Sequence, residues 1–286
     1  MGGVAEYDLG QAPASWDFLQ FLINAKLKLG KFNVAFREGP VGGFRADSIK
    51  RSLPQRKAIF ENVMIPALKL VGAEKVEAPG EPISYFQIDA VRAAHRGNPV
   101  PKWQIPADVL EECRSWLGDR RPLVITLREA DYYPERNSNL DAWLAFAKTV
   151  DDVIFVRDTA KADEPLPFET CPRASKDFLF RAALMSLAQC NFLVGNGPAL
   201  LVEYLDVPWL MFNPVRPDLD YRPVQADWWI RNVGLAPGDQ FPWAKTNQRI
   251  VWKSDTLENI HAAWNEIEDV PLLPPIKTFA AMSEDD

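Results

Sequence analysis

Two stretches of this chain have the residue types and spacing to handle an anion. The first is the turn within residues 191–214, where Gly195, Asn196, Gly197 and Pro198 separate the apolar run 192–194 from a short expected helix over 199–204. Glycine allows positive φ and close backbone approach, proline suits a first helical turn, and unpaired N–H groups at a helix start favour negative charge. The same residues also serve an ordinary strand-to-helix turn for steric reasons alone. The second stretch runs from Thr126 through Arg128 to Arg136, Asn137 and Ser138, at and beyond the end of the apolar run 123–127. An arginine can fork onto two phosphate oxygens, and hydroxyl and amide groups at the next helix start can complete the cradle. The alternative is that Arg128 and Arg136 form surface ion pairs with Glu129, Asp131 or Glu135.

Both stretches need a parallel sheet behind them, because ligands of open α/β sheets bind at the carboxyl ends of the strands. The sequence supplies one. Apolar runs at 123–127, 153–156, 192–194 and 209–212 alternate with helical patterns at 139–149 and 176–189, and a closing helix is expected over 255–268. Upstream lies another β and α alternation. It has strands at 4–9, 32–37 and 75–78, a helix from Ser15 to about Leu29, and a helix over 54–71 stopped by Gly72. Trp16, Leu19, Ile23 and Leu27 form the apolar stripe of the first helix, with Asp17, Gln20, Asn24 and Lys28 on another face. A glycine-rich loop at 38–45, from Glu38 to Arg45, follows the second strand.

Proline-rich residues 79–106 lack periodicity, and a helix over 107–117 follows. The expected organisation is therefore a first domain of residues 1–118 and a second of 119–286, with a loop-like aromatic segment after residue 214 and an extended tail ending in a disordered SEDD.

Composition narrows the function classes. The 286 residues carry a net charge of −7, so wholesale binding to nucleic acid or to an anionic membrane has no support, and an anion site must be local. The start lacks the basic and apolar regions of a secretion signal, and no apolar run approaches the roughly 20 residues of a membrane span. A cytoplasmic protein is expected, with peripheral contact at the inner face of the membrane left open. Three cysteines without metal-ligand spacing and only two histidines argue against disulfides, zinc and a histidine-centred triad.

The residues ITLRE, RNSNLDAWLAFA, RAALMSLA and AQCNFLVGNGPALLVEYLDVPWLMFNP resemble the donor-binding half of GT-B-fold glycosyltransferases, the bacterial heptosyltransferase-like group of glycosyltransferase family 9 in particular. The resemblance covers roughly residues 120–214 and extends to the first half only as a general βα layout. It implies an α/β protein with two Rossmann-like domains facing a cleft. The implied activity is transfer of a sugar from a nucleotide-diphosphate sugar to a glycan or lipid-linked acceptor in polysaccharide biosynthesis. It also implies Arg128 and Arg136 on the donor diphosphate, Asn196, Gly197 and Pro198 lining the turn, and Glu203 on a ribose hydroxyl. A solvated helix face is the alternative for Glu203. The sequence departs from the group's Asp-Thr-Gly turn and following histidine, having Gly-Asn-Gly-Pro and then leucines, so ADP-heptose is not assumed as donor.

By the same resemblance the first strand-loop-helix turn holds the acceptor and a carboxylate base, which selects Asp17 beside Gln11 and Ser15. A carboxylate favouring the helix start is its alternative role. Glu38 and Arg45 are further candidates, as base and as acceptor contact, with loop tethering as the alternative. Trp228, Trp229, Phe241 and Trp243 could stack sugar faces or pack between domains. Asp218 and Asp220 superficially match an Asp-x-Asp metal motif of a different architecture, and neither a metal nor a cofactor is expected. The competing functions are a catalytically silent GT-B-like nucleotide or sugar binder and a nucleotide-sugar epimerase.

Overall fold

The computed structural model describes residues 2–46, 51–213, 215 and 225–268. Asp218, Asp220, the expected extended tail and the SEDD terminus lie outside the described residues.

The first half is built on three parallel strands in the order β2-β1-β3. β1 (Gly3–Asp8) and β2 (Phe32–Arg37) pair from Gly3 opposite Phe32 to Asp8 opposite Arg37. The edge strand β3 is Glu81–Pro82, set against Ala5 and Glu6. The strand expected at 75–78 is only a bridge from Lys75 to Val34. The chain instead reaches the sheet edge at Gly80, where a Cβ would lie 2.9 Å from the Glu6 amide, and stops pairing at a proline that has no N–H to give.

The helix between β1 and β2 spans Phe18–Leu29, with Asp17 rather than Ser15 at its N-cap. Eight consecutive residues, Phe18 through Ala25, are buried. Gln20 and Asn24 of the expected polar face are therefore buried, while Asp17 and Lys28 at its two ends stay exposed. The second expected helix is composite. Ser52 and Gln55 form a reciprocal cap for Leu53–Ile59, then a π-helical turn Phe60–Met64 leads through Ile65–Ala67 to a 3-10 turn Leu68–Val71. Pro66 explains the change, since it lacks an N–H and its ring crowds the carbonyl four residues earlier.

The second half carries five parallel strands in the order β5-β4-β6-β7-β8. These are β4 (Leu123–Thr126), β5 (Val153–Val156), β6 (Cys190–Val194), β7 (Trp209–Phe212) and β8 (Gln248–Val251). β4 to β7 are buried along their whole length, as strands covered on both faces must be. The order reverses between β4 and β6, and this switch point opens a crevice at their carboxyl ends. The helix expected over 176–189 is Phe178–Leu187, begun by the Asp177 side chain accepting from the Phe180 amide at 3.0 Å, with a separate turn Pro172–Lys176 before it. A helix Ala226–Asn232 stands within the segment read as loop. Asp255 does not cap the last helix, Leu257–Glu268; its carboxylate accepts from the Asn139 amide at 2.8 Å and from Trp143 Nε1 at 2.7 Å.

Packing places the helix Ala107–Leu117 with the second sheet, because Cys113 and Leu117 join Val124, Ile154, Val156 and Phe180 in one core layer. This helix thus packs with the second half of the chain although it precedes residue 119. The opposite face of the second sheet packs Trp143, Phe146, Phe192, Phe212 and Trp264. A third layer is shared by both halves: Tyr7, Phe18 and Phe21 are continuous with Leu193, Tyr204, Trp209 and Met211.

Candidate functional site

A cleft of about 340 Å³ opens where the carboxyl ends of β1, β4, β6 and β7 converge. The first half contributes Ser15, Trp16, Asp17, Arg45, Arg51 and Gln87, and the second contributes Arg128, Arg136, Gly195–Gly197, Glu203 and Asn213. Trp228 and Trp229, from the helix Ala226–Asn232, form another part of the wall.

The glycine turn is where sequence expectation placed it, for a different reason. Neither Gly195 nor Gly197 has positive φ. A Cβ on Gly195 would lie 2.6 Å from Asn213 Oδ1, and one on Gly197 would lie 2.4 Å from Trp16 Cγ. Both glycines exist to admit a neighbouring side chain. The helix behind the turn, Ala199–Val202, is a single turn, and the amides of Ala199, Leu200 and Leu201 donate to the carbonyls of Asn196, Gly197 and Pro198. Those amides are therefore internally satisfied, and Pro198 is buried. Arg136 is the positively charged side chain bonded to this turn.

The two arginines divide the work. Arg128 is 4% exposed, and its guanidinium donates to the carbonyls of Tyr132 at 2.7 Å and Tyr133 at 2.9 Å and to Asn137 Oδ1, while stacking over the Tyr132 ring. Asn137 also ties both backbone groups of Ala130, and Ser138 Oγ accepts from the Arg128 amide at 2.9 Å. Arg128, Asn137 and Ser138 thus shape the loop after β4. Thr126 is buried inside β4. Arg136 reaches across the crevice and donates to the Gly195 carbonyl at 2.7 Å, which locks this loop to the glycine turn. The ion pairs considered for these arginines do not include Glu129, whose carboxylate instead holds buried Arg157 at 2.5 Å.

Across the cleft, the Ser15 hydroxyl donates to Asp17 Oδ2 at 2.8 Å and accepts from the Asp17 amide. The Asp17 surface is exposed to the cleft, yet the surrounding walls desolvate its carboxyl and raise its pKa above the ordinary value. Its bond from Ser15 and the charges of Arg51, Arg45 and Arg136 act in the opposite direction. Arg45 lines the cleft and ties the Gln11 carbonyl at 2.9 Å. Gln11 and Glu38 have exposed side chains outside the cleft lining, so the structure does not bring them to the site.

Glu203 is not on a solvated helix face. It is 3% exposed, and burial pushes its carboxyl pKa up to about 8, against the opposing bond from Gln87 Nε2. Burial thus favours its neutral form near neutral pH. Beside it a polar chain crosses the molecule: the Tyr204 hydroxyl donates to Gln20 Oε1 at 2.5 Å, Gln20 Nε2 donates to Asn24 Oδ1 at 3.0 Å, and Asn24 Nδ2 donates to the carbonyls of Ser84 and Phe86. Phe241 and Trp243 lie stacked in this interior with Tyr204 and away from the cleft lining, whereas Trp228 and Trp229 line it.

No known protein family's sequence profile matches the chain, and no curated protein matches it in sequence. Among solved structures it is similar to a glycosyl transferase family 9 protein of Veillonella parvula, at 10% identity over 93% of this chain and 97% of that one, with a TM-score of 0.49. It is also similar to ADP-heptose LPS heptosyltransferase II of Escherichia coli, at 9% identity over 94% and 100% of the two chains, with a TM-score of 0.45. A second Escherichia coli heptosyltransferase, solved with ADP-2-deoxy-2-fluoro heptose, gives 15% identity over 92% and 99%, with a TM-score of 0.44. At these values the likeness assigns no activity, which has to be read from the cleft itself.

Several cleft residues had no place in the sequence reading of the site. Gln87 lies in the proline-rich connection, which gives no periodic signal, and Arg51 precedes a helix as an unremarkable surface arginine would. Trp16 falls on the apolar stripe of the first helix. Asn213 carried a usable signal, since it directly follows a parallel strand at its carboxyl end. Among the described residues no group of three or more His, Cys, Asp or Glu side chains is placed to hold a metal ion.

Proposed function

We propose that this chain transfers a glycosyl group from a nucleotide-diphosphate sugar to a glycan or lipid-linked acceptor, gripping the donor diphosphate with arginine in place of a divalent metal. The observation that supports it is the meeting of two unlike half-sites in one cleft. A carboxylate held by a serine faces a crevice whose far wall carries Arg136 and a glycine turn, and the two are near enough for the Arg136 charge to act on the Asp17 carboxyl. In this reading Asp17 accepts the proton of the acceptor hydroxyl as that oxygen attacks the anomeric carbon, and the nucleoside diphosphate leaves towards Arg136. Burial, by favouring the neutral form of Glu203, reduces its repulsion of the diphosphate. The resemblance of residues 120–214 to family 9 enzymes supports a role in bacterial surface-glycan synthesis, at the cytoplasmic side of the membrane.

A second reading has one observation of its own. The Trp16 indole lies directly on Gly197, over the turn that a diphosphate would approach, and this suits a silent nucleotide or sugar binder.

The test is a thermal-shift series with UDP, GDP, ADP, CMP and dTDP, with magnesium and with EDTA, on the wild type and on Arg136→Ala. Ligand that binds only the native state raises the melting temperature by mass action. The expected result is a rise with one nucleotide, equal in magnesium and EDTA and lost in Arg136→Ala, followed by turnover of the matching nucleotide sugar. A rise without turnover on any acceptor tested establishes the silent binder, and no rise at millimolar nucleotide overturns both readings.

A further inference from the structure

Asn213 is 5% exposed and lines the cleft immediately after β7. Its backbone amide donates to the Val251 carbonyl at 2.9 Å, so its position is fixed by the sheet. Its side chain lies across the glycine turn, with Oδ1 over Gly195, a residue whose own carbonyl is held by Arg136. The chain has given up a Cβ at 195 to seat this carboxamide, yet Asn213 Nδ2 is buried with no hydrogen-bond partner. One residue from Gly195, Asn196 Oδ1 is also buried without a partner, and Asn196 lines the same cleft. A buried polar atom left unpaired destabilises a fold, so a seat built for one points to a group that arrives from outside the chain.

The chemistry of that group follows from the two orphaned atoms at the glycine turn, Arg45 Nε being also without a partner but on the wall from the first half. One is a donor and one is an acceptor, both are neutral, and both sit beside an arginine that already supplies positive charge. Phosphate oxygens only accept, whereas a hydroxyl both gives and takes a hydrogen bond. We propose that Asn213, with Asn196, reads hydroxyl groups on the glycosyl part of the donor and so separates nucleotide sugar from bare nucleotide. This rests on the glycosyl-transfer reading.

The experiment measures dissociation constants of wild type and Asn213→Ala for UDP-glucose, ADP-glucose, dTDP-glucose and GDP-mannose, each beside its parent diphosphate, with unliganded melting temperatures recorded in parallel. The expected result is that the variant binds the sugar conjugate about tenfold more weakly, as loss of one buried hydrogen bond implies, with the parent diphosphate unchanged within about twofold. The unliganded variant should melt no lower than wild type, because it has lost an unsatisfied amide. Equal weakening of conjugate and diphosphate, an unchanged conjugate affinity, or an unliganded melting temperature lower by several degrees overturns the assignment to Asn213 while leaving the transfer reading intact. Wild-type protein that binds none of these probes overturns both.

Discussion

Glu203→Gln should change how stability depends on pH, by an amount that the structure sets. A carboxyl whose pKa rises from 4.5 to about 8 on folding binds its proton more tightly in the native state. Native stability is therefore highest while both states are protonated, and it falls as pH climbs from the unfolded pKa to the folded one. The group is almost fully buried, so solvent screening does little to reduce the effect. Between pH 5.5 and pH 8.5 the linkage amounts to about 3 kcal/mol of lost stability from this residue alone. Glutamine keeps the shape and can still accept the bond from Gln87, but it does not titrate. Urea unfolding followed by tryptophan fluorescence, run on both proteins at the two pH values, isolates the effect, because every other titrating group contributes equally to each. The stability difference, variant minus wild type, should increase by about 3 kcal/mol from the lower pH to the higher. A difference that stays constant would mean Glu203 ionises like an exposed carboxylate, and the assignment of a neutral acid to the cleft wall would be refuted.

Two further substitutions probe the walls of the cleft. Asp17→Asn should slow transfer by at least about 100-fold with nucleotide affinity unchanged, as loss of a general base does, and the acid limb of the wild-type kcat/KM profile should lie above the ordinary carboxylate range because desolvation raises the Asp17 pKa; an equal loss of nucleotide affinity would make Asp17 a binding group. Gly197→Ala puts a methyl group 2.4 Å from Trp16 Cγ and should cost about 1–3 kcal/mol by denaturation, with Trp16→Leu in the same chain restoring most of it; no loss in the single variant would show that the indole is not seated on the turn.

The parts of the fold that could be read in advance are those where burial is uniform. β4 to β7 are covered on both faces and so appear as plain apolar runs, and the helix at Asn139 announces itself with a capping side chain. β8 escaped because Gln248–Val251 mixes buried and partly exposed positions over four residues, too few for a period to register. The first helix shows the limit of periodicity. Gln20 and Asn24 recur at helical spacing, which suggests a polar face, but the partners that let that face be buried are Tyr204 and two carbonyls near residue 85. The site was legible in the same partial way. Residue type and strand-end position pointed to Arg136 and the glycine turn, and the family resemblance to Asp17, all of which line the cleft, whereas the duties of Arg128 depend on backbone carbonyls whose directions no side-chain pattern encodes. The glycines were recognised and their purpose was not, because the side chains they make room for come from residues 16 and 213.

The polar chain from Asn24 through Gln20 to Tyr204, with Gln87 bridging Tyr204 to Glu203, has a mechanical consequence. Its links join the two halves inside the apolar layer they share, so swinging one half away from the other strands several amide and hydroxyl groups at once. Separating the halves at a hinge is thereby opposed by all of these bonds together. The placing of Asp17 opposite Arg136 is accordingly set by interior bonds remote from both, much as the gap of a gauge is set by its frame.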